Sequence, residues 1–167
     1  MTQRIVIMGV SGSGKSSVGV ALSKRLGIPY LDGDTLHSPS NIRKMQAGEA
    51  LTDADRWPWL DRVAQELASQ APVIIGCSAL RRVYRDRIRA GAGGPVCFVH
   101  LAGSRALIAA RMATRSGHFM PASLLDSQFA ALEPPGPDED AVTVDIDQPL
   151  DLLVSDILHQ MNSPSAD

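Results

Sequence analysis

A glycine-rich segment carries the clearest chemistry in the chain. It comprises Gly9-Val10-Ser11-Gly12-Ser13-Gly14-Lys15-Ser16 and fits the pattern GxxxxGK[ST] in full. Glycines let backbone N–H groups turn inward around a phosphate, and the N-terminus of a following helix adds unpaired donors and partial positive charge. Lys15 is expected to reach the β- and γ-phosphates of a nucleotide, and the Ser16 hydroxyl is expected to bind Mg²⁺. The pattern therefore predicts a nucleoside triphosphate site with contacts from Gly9, Ser11, Gly12, Ser13, Gly14, Lys15, Ser16 and Ser17.

Two carboxylates flank a glycine after the second strand-like run. Asp32 and Asp34 can serve Mg²⁺, directly or through water, or accept the proton of an acceptor hydroxyl. An ordinary Asp-Gly turn is the alternative. We favour Asp34 as the base and Asp32 as the group that assists Mg²⁺, and the reverse assignment stays open.

Polar side chains follow at helical spacing. His37 and Asn41 are four residues apart, and Asn41 and Lys44 are three apart, so a helix would place them on one face. Asp55 and Arg56 lie in a charged stretch beside two tryptophans. These residues are candidates for binding the acceptor. The alternatives are a solvated helix face and, for Asp55 and Arg56, a helix cap.

Arginines dominate the segment after the third strand. Arg81, Arg85 and Arg89 form one row at a spacing of four residues. Guanidinium groups suit an anionic ligand, and the position after a strand end favours Arg81 and Arg85 as its partners. A solvated helix face is the alternative.

A connection with little apolar periodicity contains Arg111, Arg115 and His118. Arginines on a mobile lid can close over transferring phosphates and exclude water. We therefore expect a lid over approximately 112–126, with Arg115 acting in catalysis and His118 near the acceptor. A plain surface loop is the alternative.

The elements that must position these residues alternate along the chain. Residue patterns predict strands at 4–8, 29–31, 73–76, 96–101 and 142–146, and helices at 15–26, 41–47, 55–69, 80–90, 104–114, 124–132 and 150–161. This alternation predicts an α/β fold, with a parallel sheet covered by helices on both faces. Ligands of such folds bind at the carboxyl ends of the strands.

The composition limits the classes of protein to which this chain can belong. The 167 residues suit a single domain, 1–167, and a net charge of −2 argues against a general nucleic-acid binder. No apolar run approaches the ~20 residues of a membrane span. The two cysteines lack the CxxC spacing of a zinc site. No signal peptide is evident, so we expect a cytoplasmic protein.

Missing motifs exclude several nucleotide-binding classes. A switch GTPase needs DxxG and NKxD, and neither string occurs. A motor or transport ATPase needs an apolar strand that ends in Asp-Glu, but the third and fourth strands are followed by Cys77-Ser78 and Ala102-Gly103. At this length, a small phosphotransferase with an acceptor pocket remains.

Longer strings carry a specific resemblance. The chain resembles gluconate kinase (gluconokinase) of the small P-loop type, a relative of shikimate and adenylate kinases. The matching strings are GVSGSGKS, LDGDTLHSPSNIRKMQAGEALTDADRWPWL, CSALRRVYRDRIR, RMATRSGHFMPASLLDSQFAALEPP and VDIDQPLD. Departures are small: Ser38 and Ala50 stand where the family often has proline.

The resemblance implies a reaction and an assembly. ATP and D-gluconate would give ADP and 6-phospho-D-gluconate, with Mg²⁺, in a P-loop kinase fold with sheet order 2-3-1-4-5, a mobile lid and a homodimer. The alternatives are a kinase of another small anionic alcohol such as shikimate, or a nucleotide-dependent binder without turnover.

The resemblance also implies roles for individual residues. The adenine would lie between Arg111 and the loop of Asp147, Gln148 and Pro149, and Arg115 would lie near the transferring phosphate. The gluconate carboxylate needs a cation, and we favour Arg81 over Lys44 because its planar group matches a carboxylate. The hydroxyl groups would then be bound by His37, Asn41 and Asp55.

Overall fold

The computed structural model describes residues 3–113 and 122–162. Strands and helices alternate along these residues, with a short 3-10 helix, Gly33–Leu36, after the second strand. The elements are β1 Arg4–Met8, α1 Lys15–Leu26, β2 Tyr30–Asp32, α2 Pro39–Gln46, α3 Asp53–Gln70, β3 Val73–Gly76, α4 Arg82–Gly91, β4 Cys97–Ala102, α5 Arg105–Ala113, α6 Ala122–Ala131, β5 Ala141–Asp145 and α7 Leu150–Asn162.

The strands form a five-stranded parallel sheet in the order β2-β3-β1-β4-β5. This confirms the predicted α/β class and strand order. β1 lies at the centre, where Ile5 pairs with Ile74 of β3 and with Cys97 of β4. The central strand therefore delivers the glycine-rich loop to the middle of the carboxyl edge.

Both faces of the sheet are covered. Ile5 and Ile7 pack into a cluster with apolar residues of α1 and α7. Val6 and Met8 pack into a second cluster with residues of α3 and α4. Successive side chains of a strand point to opposite faces, so the continuous apolar run of β1 supplies both layers.

Helix caps move two boundaries from their predicted positions. α3 begins at Asp53 rather than 55 because Thr52 and Asp55 form a capping box. α2 begins at Pro39 rather than 41 because the Ser38 hydroxyl accepts a hydrogen bond from the Asn41 N–H. No helix in the described parts of the chain is long and apolar enough to cross a membrane.

Candidate active site

The glycine-rich loop joins β1 to α1 along a backbone path that requires glycine. Gly9, Gly12 and Gly14 have φ values of +151°, +81° and +97°, which side chains rarely tolerate. The Lys15 ammonium donates to the carbonyl oxygens of Gly9 and Val10 at 3.0 and 3.1 Å. Burial lowers the pKa of Lys15, and the charge of Asp34 opposes that shift. A half-buried cation therefore lies across the loop, close to Asp32 and Asp34 at the end of β2.

A cavity of about 380 Å³ lies on one side of this loop. Arg111 and Gln148 meet there, and Arg111 Nη2 donates to the Ile146 carbonyl oxygen at 2.6 Å. Its lining is Gly12, Ser13, Gly14, Ser17, Val18, Arg111, Gln148, Leu150 and Leu153. Arg111 is thus brought to the loop after β5, but Gln148 lines the cavity rather than the predicted Asp147 and Pro149.

A second cavity, of about 220 Å³, lies on the other side of the loop and is called the acceptor cavity below. Its lining is Ser11, Lys15, Asp34, His37, Met45, Glu49, Ala50, Leu51, Arg56, Trp59, Ser78, Leu124, Ser127 and Gln128. Lys15 and Arg56 are the cationic side chains in this lining, among the residues that the structure describes. The acceptor cavity therefore joins the phosphate-binding loop to a polar pocket.

The two carboxylates at the end of β2 and just after it, Asp32 and Asp34, occupy different positions. Asp32 caps the 3-10 helix, since its Oδ1 accepts from the Asp34 N–H at 2.9 Å. Asp34 lines the acceptor cavity together with Lys15. Burial and the charge of Asp32 raise the pKa of Asp34, while Lys15 opposes the shift. Asp34 is therefore the carboxylate best placed to meet an acceptor hydroxyl.

Ser16 and Asp32 provide the oxygen donors that Mg²⁺ prefers. Asp32 Oδ2 makes no hydrogen bond with the described residues, and a cation here would offset the repulsion between Asp32 and Asp34. These residues fit Mg²⁺. No cluster of three or more His, Cys, Asp or Glu that could hold a metal ion occurs in residues 3–113 and 122–162. The phosphates and water would therefore supply most ligands.

Three of the predicted acceptor ligands form a layer behind the cavity. Lys44 Nζ pairs with Asp55 Oδ2 at 2.8 Å, and the same oxygen accepts from the Thr52 N–H. The hydrogen bond from Lys44 lowers the pKa of Asp55 to about 2. Asn41 Nδ2 contacts His37 Nδ1 and the Asp55 backbone oxygen. His37 lines the acceptor cavity, whereas Asn41, Lys44 and Asp55 do not.

The comparisons with known proteins agree with this geometry. A family model described as an AAA domain matches residues 5–135. A gluconokinase of Gluconobacter oxydans is 42% identical over 163 residues, covering 95% of this chain and 91% of that protein. The thermoresistant gluconokinase of Escherichia coli is 44% identical over 156 residues, covering 90% and 88%. The crystal structure of a gluconokinase from Sinorhizobium meliloti 1021 has a TM-score of 0.90 at 52% identity, covering 95% and 91%.

The chain belongs to the gluconokinase family. The family resemblance predicted from the sequence is thereby confirmed, and so is the assignment to the P-loop kinases. Because the matched relatives are gluconokinases, this chain is an enzyme, and the alternative of a nucleotide-dependent binder without turnover is not favoured.

The predicted role of Arg85 is wrong for this gluconokinase-family chain. It was predicted to bind the acceptor, but its side chain is 0% exposed and pairs with Glu139 at 2.7 Å. Its Nη1 also donates to the carbonyl oxygen of Ala79, which has a φ of +45°. Burial beside Glu139 makes Arg85 a structural residue that holds the turn after β3, next to Ser78 of the acceptor cavity.

Arg81 also lies outside the lining of the acceptor cavity. Its Nη1 pairs with Asp53 Oδ2 at 3.0 Å, and its Nε lies 3.6 Å from Glu133 Oε1. Arg56 lines the cavity instead. Arg56 Nη1 donates to the Tyr84 hydroxyl at 3.3 Å and lies 3.6 Å from Asp53.

Gln128 on α6 is a contact that the sequence did not single out. Its Oε1 accepts from the Ser11 N–H at 2.7 Å, and its Nε2 donates to the Ser11 hydroxyl at 3.1 Å. Gln128 lies within the string LLDSQF that carries the family resemblance, but no role was predicted for it. Gln128 ties α6 to the phosphate-binding loop at the acceptor cavity. The remaining predicted ligands Arg115 and His118, and most of the predicted lid, lie outside the described residues.

The buried pair of Arg85 and Glu139 predicts a pH-dependent stability. Glu139 has its pKa lowered to about 2, mainly by the hydrogen bond from Arg85. A carboxyl whose folded pKa is depressed stabilises the protein above its ordinary pKa of 4.5, and this contribution is lost as pH falls from there toward 2. We expect Glu139→Gln to lower the free energy of unfolding at neutral pH by about 3 kcal/mol, because an uncompensated guanidinium stays buried.

The neighbouring pair of Arg82 and Asp138 offers a matched control. It forms two hydrogen bonds, but Asp138 is 63% exposed. Asp138→Asn should therefore cost much less stability than Glu139→Gln, because an exposed ion pair is screened by solvent. Urea unfolding of both variants at neutral pH is the measurement, and equal losses would contradict a special role for the buried pair.

Proposed function

We propose that this chain transfers the γ-phosphoryl group of ATP to the 6-hydroxyl of D-gluconate, giving 6-phospho-D-gluconate and ADP. The observation that carries this proposal is the acceptor cavity, which places Lys15 of the phosphate-binding loop, the carboxylate of Asp34 and the cation of Arg56 around one polar space. Membership of the gluconokinase family supports the same conclusion.

The orientation of gluconate follows from the charges of that cavity. The 6-hydroxyl belongs near Lys15 and Asp34, since the transferring phosphoryl group arrives over the loop. The carboxylate belongs at Arg56, because a desolvated anion needs a cation. Asp53 is 3.6 Å from Arg56 but pairs more closely with Arg81, at 3.0 Å. We therefore place the carboxylate at Arg56 in preference to Arg81.

Phosphoryl transfer in this site needs little covalent chemistry from the protein. The 6-oxygen bonds to the γ-phosphorus while the bond to the β–γ bridging oxygen breaks, and the hydroxyl proton passes to Asp34. Lys15 stabilises charge that builds on the phosphoryl oxygens. Mg²⁺, with Ser16 and with Asp32 assisting, would neutralise the β- and γ-phosphates. Arg111 would hold the nucleotide from the cavity that it shares with Gln148.

We also propose a homodimer, which rests on the family resemblance alone. The cytoplasmic location, the closing lid and the action of Arg115 and His118 stay part of the proposal as predicted above. The net charge of −2 supports a small-molecule acceptor over nucleic acid.

A coupled assay of ADP release tests the reaction. D-gluconate, shikimate and neutral sugars such as D-glucose are each offered with ATP and Mg²⁺. We expect rapid ADP release with gluconate and background release with the others. Release with shikimate in place of gluconate would assign another anionic alcohol, and background release throughout would contradict a kinase of these acceptors.

Arg56→Ala tests the placement of the carboxylate. We expect gluconate binding to weaken by roughly 2–4 kcal/mol, the scale of a lost hydrogen-bonded charge pair, with ATP binding nearly unchanged. Separate titrations of gluconate and ATP measure both effects. Arg81→Ala is the control on the same charge cluster and should weaken gluconate binding less. The opposite ranking of the two variants would return the carboxylate to Arg81.

A further inference from the structure

The imidazole of His37 is held in one orientation. It stacks on the indole of Trp59, with ring centroids 4.0 Å apart and an interplanar angle of 18°. Trp59 is itself fixed, since its Nε1–H donates to the Gly33 carbonyl oxygen at 2.8 Å. The His37 side chain is 5% exposed and lines the acceptor cavity. The direction of each ring nitrogen is therefore set by the fold.

Asn41 determines which of these nitrogens carries the proton. One polar atom of its amide lies 2.9 Å from the Asp55 backbone oxygen, which can only accept a hydrogen bond. That atom must be the amide nitrogen, Nδ2. The same Nδ2 lies 3.2 Å from His37 Nδ1. An NH₂ group has two protons, so it donates one to each partner, and His37 Nδ1 must accept with its lone pair.

The charge state of the ring follows from the same contacts. An imidazolium would direct a second proton from Nδ1 at the Asn41 amide, proton against proton. The surroundings of His37 also oppose a positive charge on the ring. Burial first, and then the positive charge of Arg56, lower the pKa of His37 to about 4. A neutral ring whose Nδ1 accepts carries its proton on Nε2.

Nε2 is the ring nitrogen left to a ligand. It makes no hydrogen bond with residues 3–113 or 122–162, and it is not among their fully buried, unpartnered polar atoms. We propose that His37 presents a fixed Nε2–H donor to an oxygen at the carboxylate end of the acceptor, and that Asn41 and the Asp55 carbonyl lock this tautomer. The oxygen is a carboxylate oxygen or the hydroxyl oxygen next to it, since Arg56 lines the same cavity. The part played by the acceptor rests on the proposed function, but the tautomer does not.

This assignment changes the role of two predicted ligands. Asn41 and Asp55 do not contact the acceptor; they are positioning residues that act through His37. A locked donor distinguishes between substrates, because it cannot become a hydrogen-bond acceptor or a cation when a different chemical group binds there. It therefore favours a ligand with an oxygen lone pair at this point over one that offers only a donor.

The tautomer can be measured without any substrate. Long-range ¹H–¹⁵N correlation spectra of the labelled, ligand-free protein report which ring nitrogen is protonated. Between about pH 6 and 8, where an ordinary histidine titrates, we expect His37 to show an unprotonated Nδ1 and a protonated Nε2 throughout. A protonated Nδ1, or titration of the ring within this range, would overturn the lock.

Asn41→Asp tests the use of the donor. A carboxylate only accepts, so Nδ1 must donate a proton to it; at a pH where the spectrum of the variant shows a neutral ring, Nε2 then has no proton to donate. We expect the KM for gluconate to rise about 10-fold or more, corresponding to ~1.4 kcal/mol, with the KM for ATP nearly unchanged. Ser40→Asp adds the same charge at the exposed neighbouring position of α2 and should change neither constant.

The spectra and the kinetics separate the possible failures. An Asn41→Asp variant whose spectrum shows the switched tautomer, but whose KM for gluconate is unchanged, would show that the acceptor does not use this donor. If the wild-type protein shows the locked tautomer but phosphorylates no gluconate, the proposed function fails and the assignment of the donor to that acceptor fails with it. The spectrum of the ligand-free protein is unaffected by that outcome.

Discussion

Replacing Lys15 with alanine should lower kcat for gluconate phosphorylation by about 10³-fold or more while leaving the fold intact. The Lys15 ammonium lies across the phosphate-binding loop, 3.0 and 3.1 Å from the carbonyl oxygens of Gly9 and Val10. It is placed to act on charge that builds mainly in the transition state, so its loss reduces turnover more than nucleotide affinity. The measurement is kcat and KM for both substrates, with circular dichroism to verify folding.

Lys24→Ala is the matched control, because Lys24 lies in the last turn of the same helix. It should leave kcat unchanged. Burial lowers the pKa of Lys15 below its ordinary 10.5, so the wild-type enzyme should lose activity on the alkaline side at a lower pH than an ordinary lysine would dictate. Full turnover in a folded Lys15→Ala variant would remove this lysine from the mechanism.

Asp34→Asn should lower kcat by about 10²- to 10⁴-fold, the contribution of a positioned general base. Asparagine keeps the size of the side chain but cannot accept the proton of the 6-hydroxyl. Asp34 lines the acceptor cavity, so a moderate change in the KM for gluconate and little change in that for ATP are expected. Initial rates over a range of both substrates measure these effects.

The comparison with Asp32→Asn decides between the two carboxylates. Asp32 caps the 3-10 helix and does not line the acceptor cavity, so its substitution should raise the Mg²⁺ requirement more than it lowers saturated kcat. The raised pKa of Asp34 predicts that kcat/KM falls on the acid side at a pH above the ordinary aspartate value of 3.8, because protonation removes the base. A larger loss of saturated kcat in Asp32→Asn would reverse the assignment.

The fold was predictable where short segments carry their own signal. The apolar run of β1 supplies two core faces, and the glycines at the ends of α1 mark that helix. Boundaries shifted where a side chain acts over three residues, as Thr52 and Asp55 do at the start of α3. The 3-10 helix Gly33–Leu36 was not predicted; its cap by Asp32 is local, but its contact with Trp59 forms only in the folded chain.

The arginine row after β3 shows the limit of spacing as evidence. Helical periodicity places Arg81 and Arg85 near a strand end, but it says nothing of what faces them. Arg85 meets Glu139, which is 54 residues away along the chain and comes close only when β5 joins the sheet beside β4. Its guanidinium is therefore buried and satisfied, and among the described arginines it is Arg56 that lines the acceptor cavity, together with Lys15.

The sequence by itself determined the phosphate-binding loop, the α/β class, the strand order through the family resemblance, and the gluconokinase family. These follow from local patterns: glycines and Lys15 within one loop, and apolar periods within single elements. Only the tertiary structure decided how the acceptor site is divided. It separated Asp34 from Asp32, placed Asn41 and Asp55 behind His37, and brought Gln128 to Ser11. The physical reason is that a polar side chain takes its role from its partners, and spacing alone does not show which partner it meets: Asn41 meets the Asp55 carbonyl 14 residues away, and Ser11 meets Gln128 117 residues away.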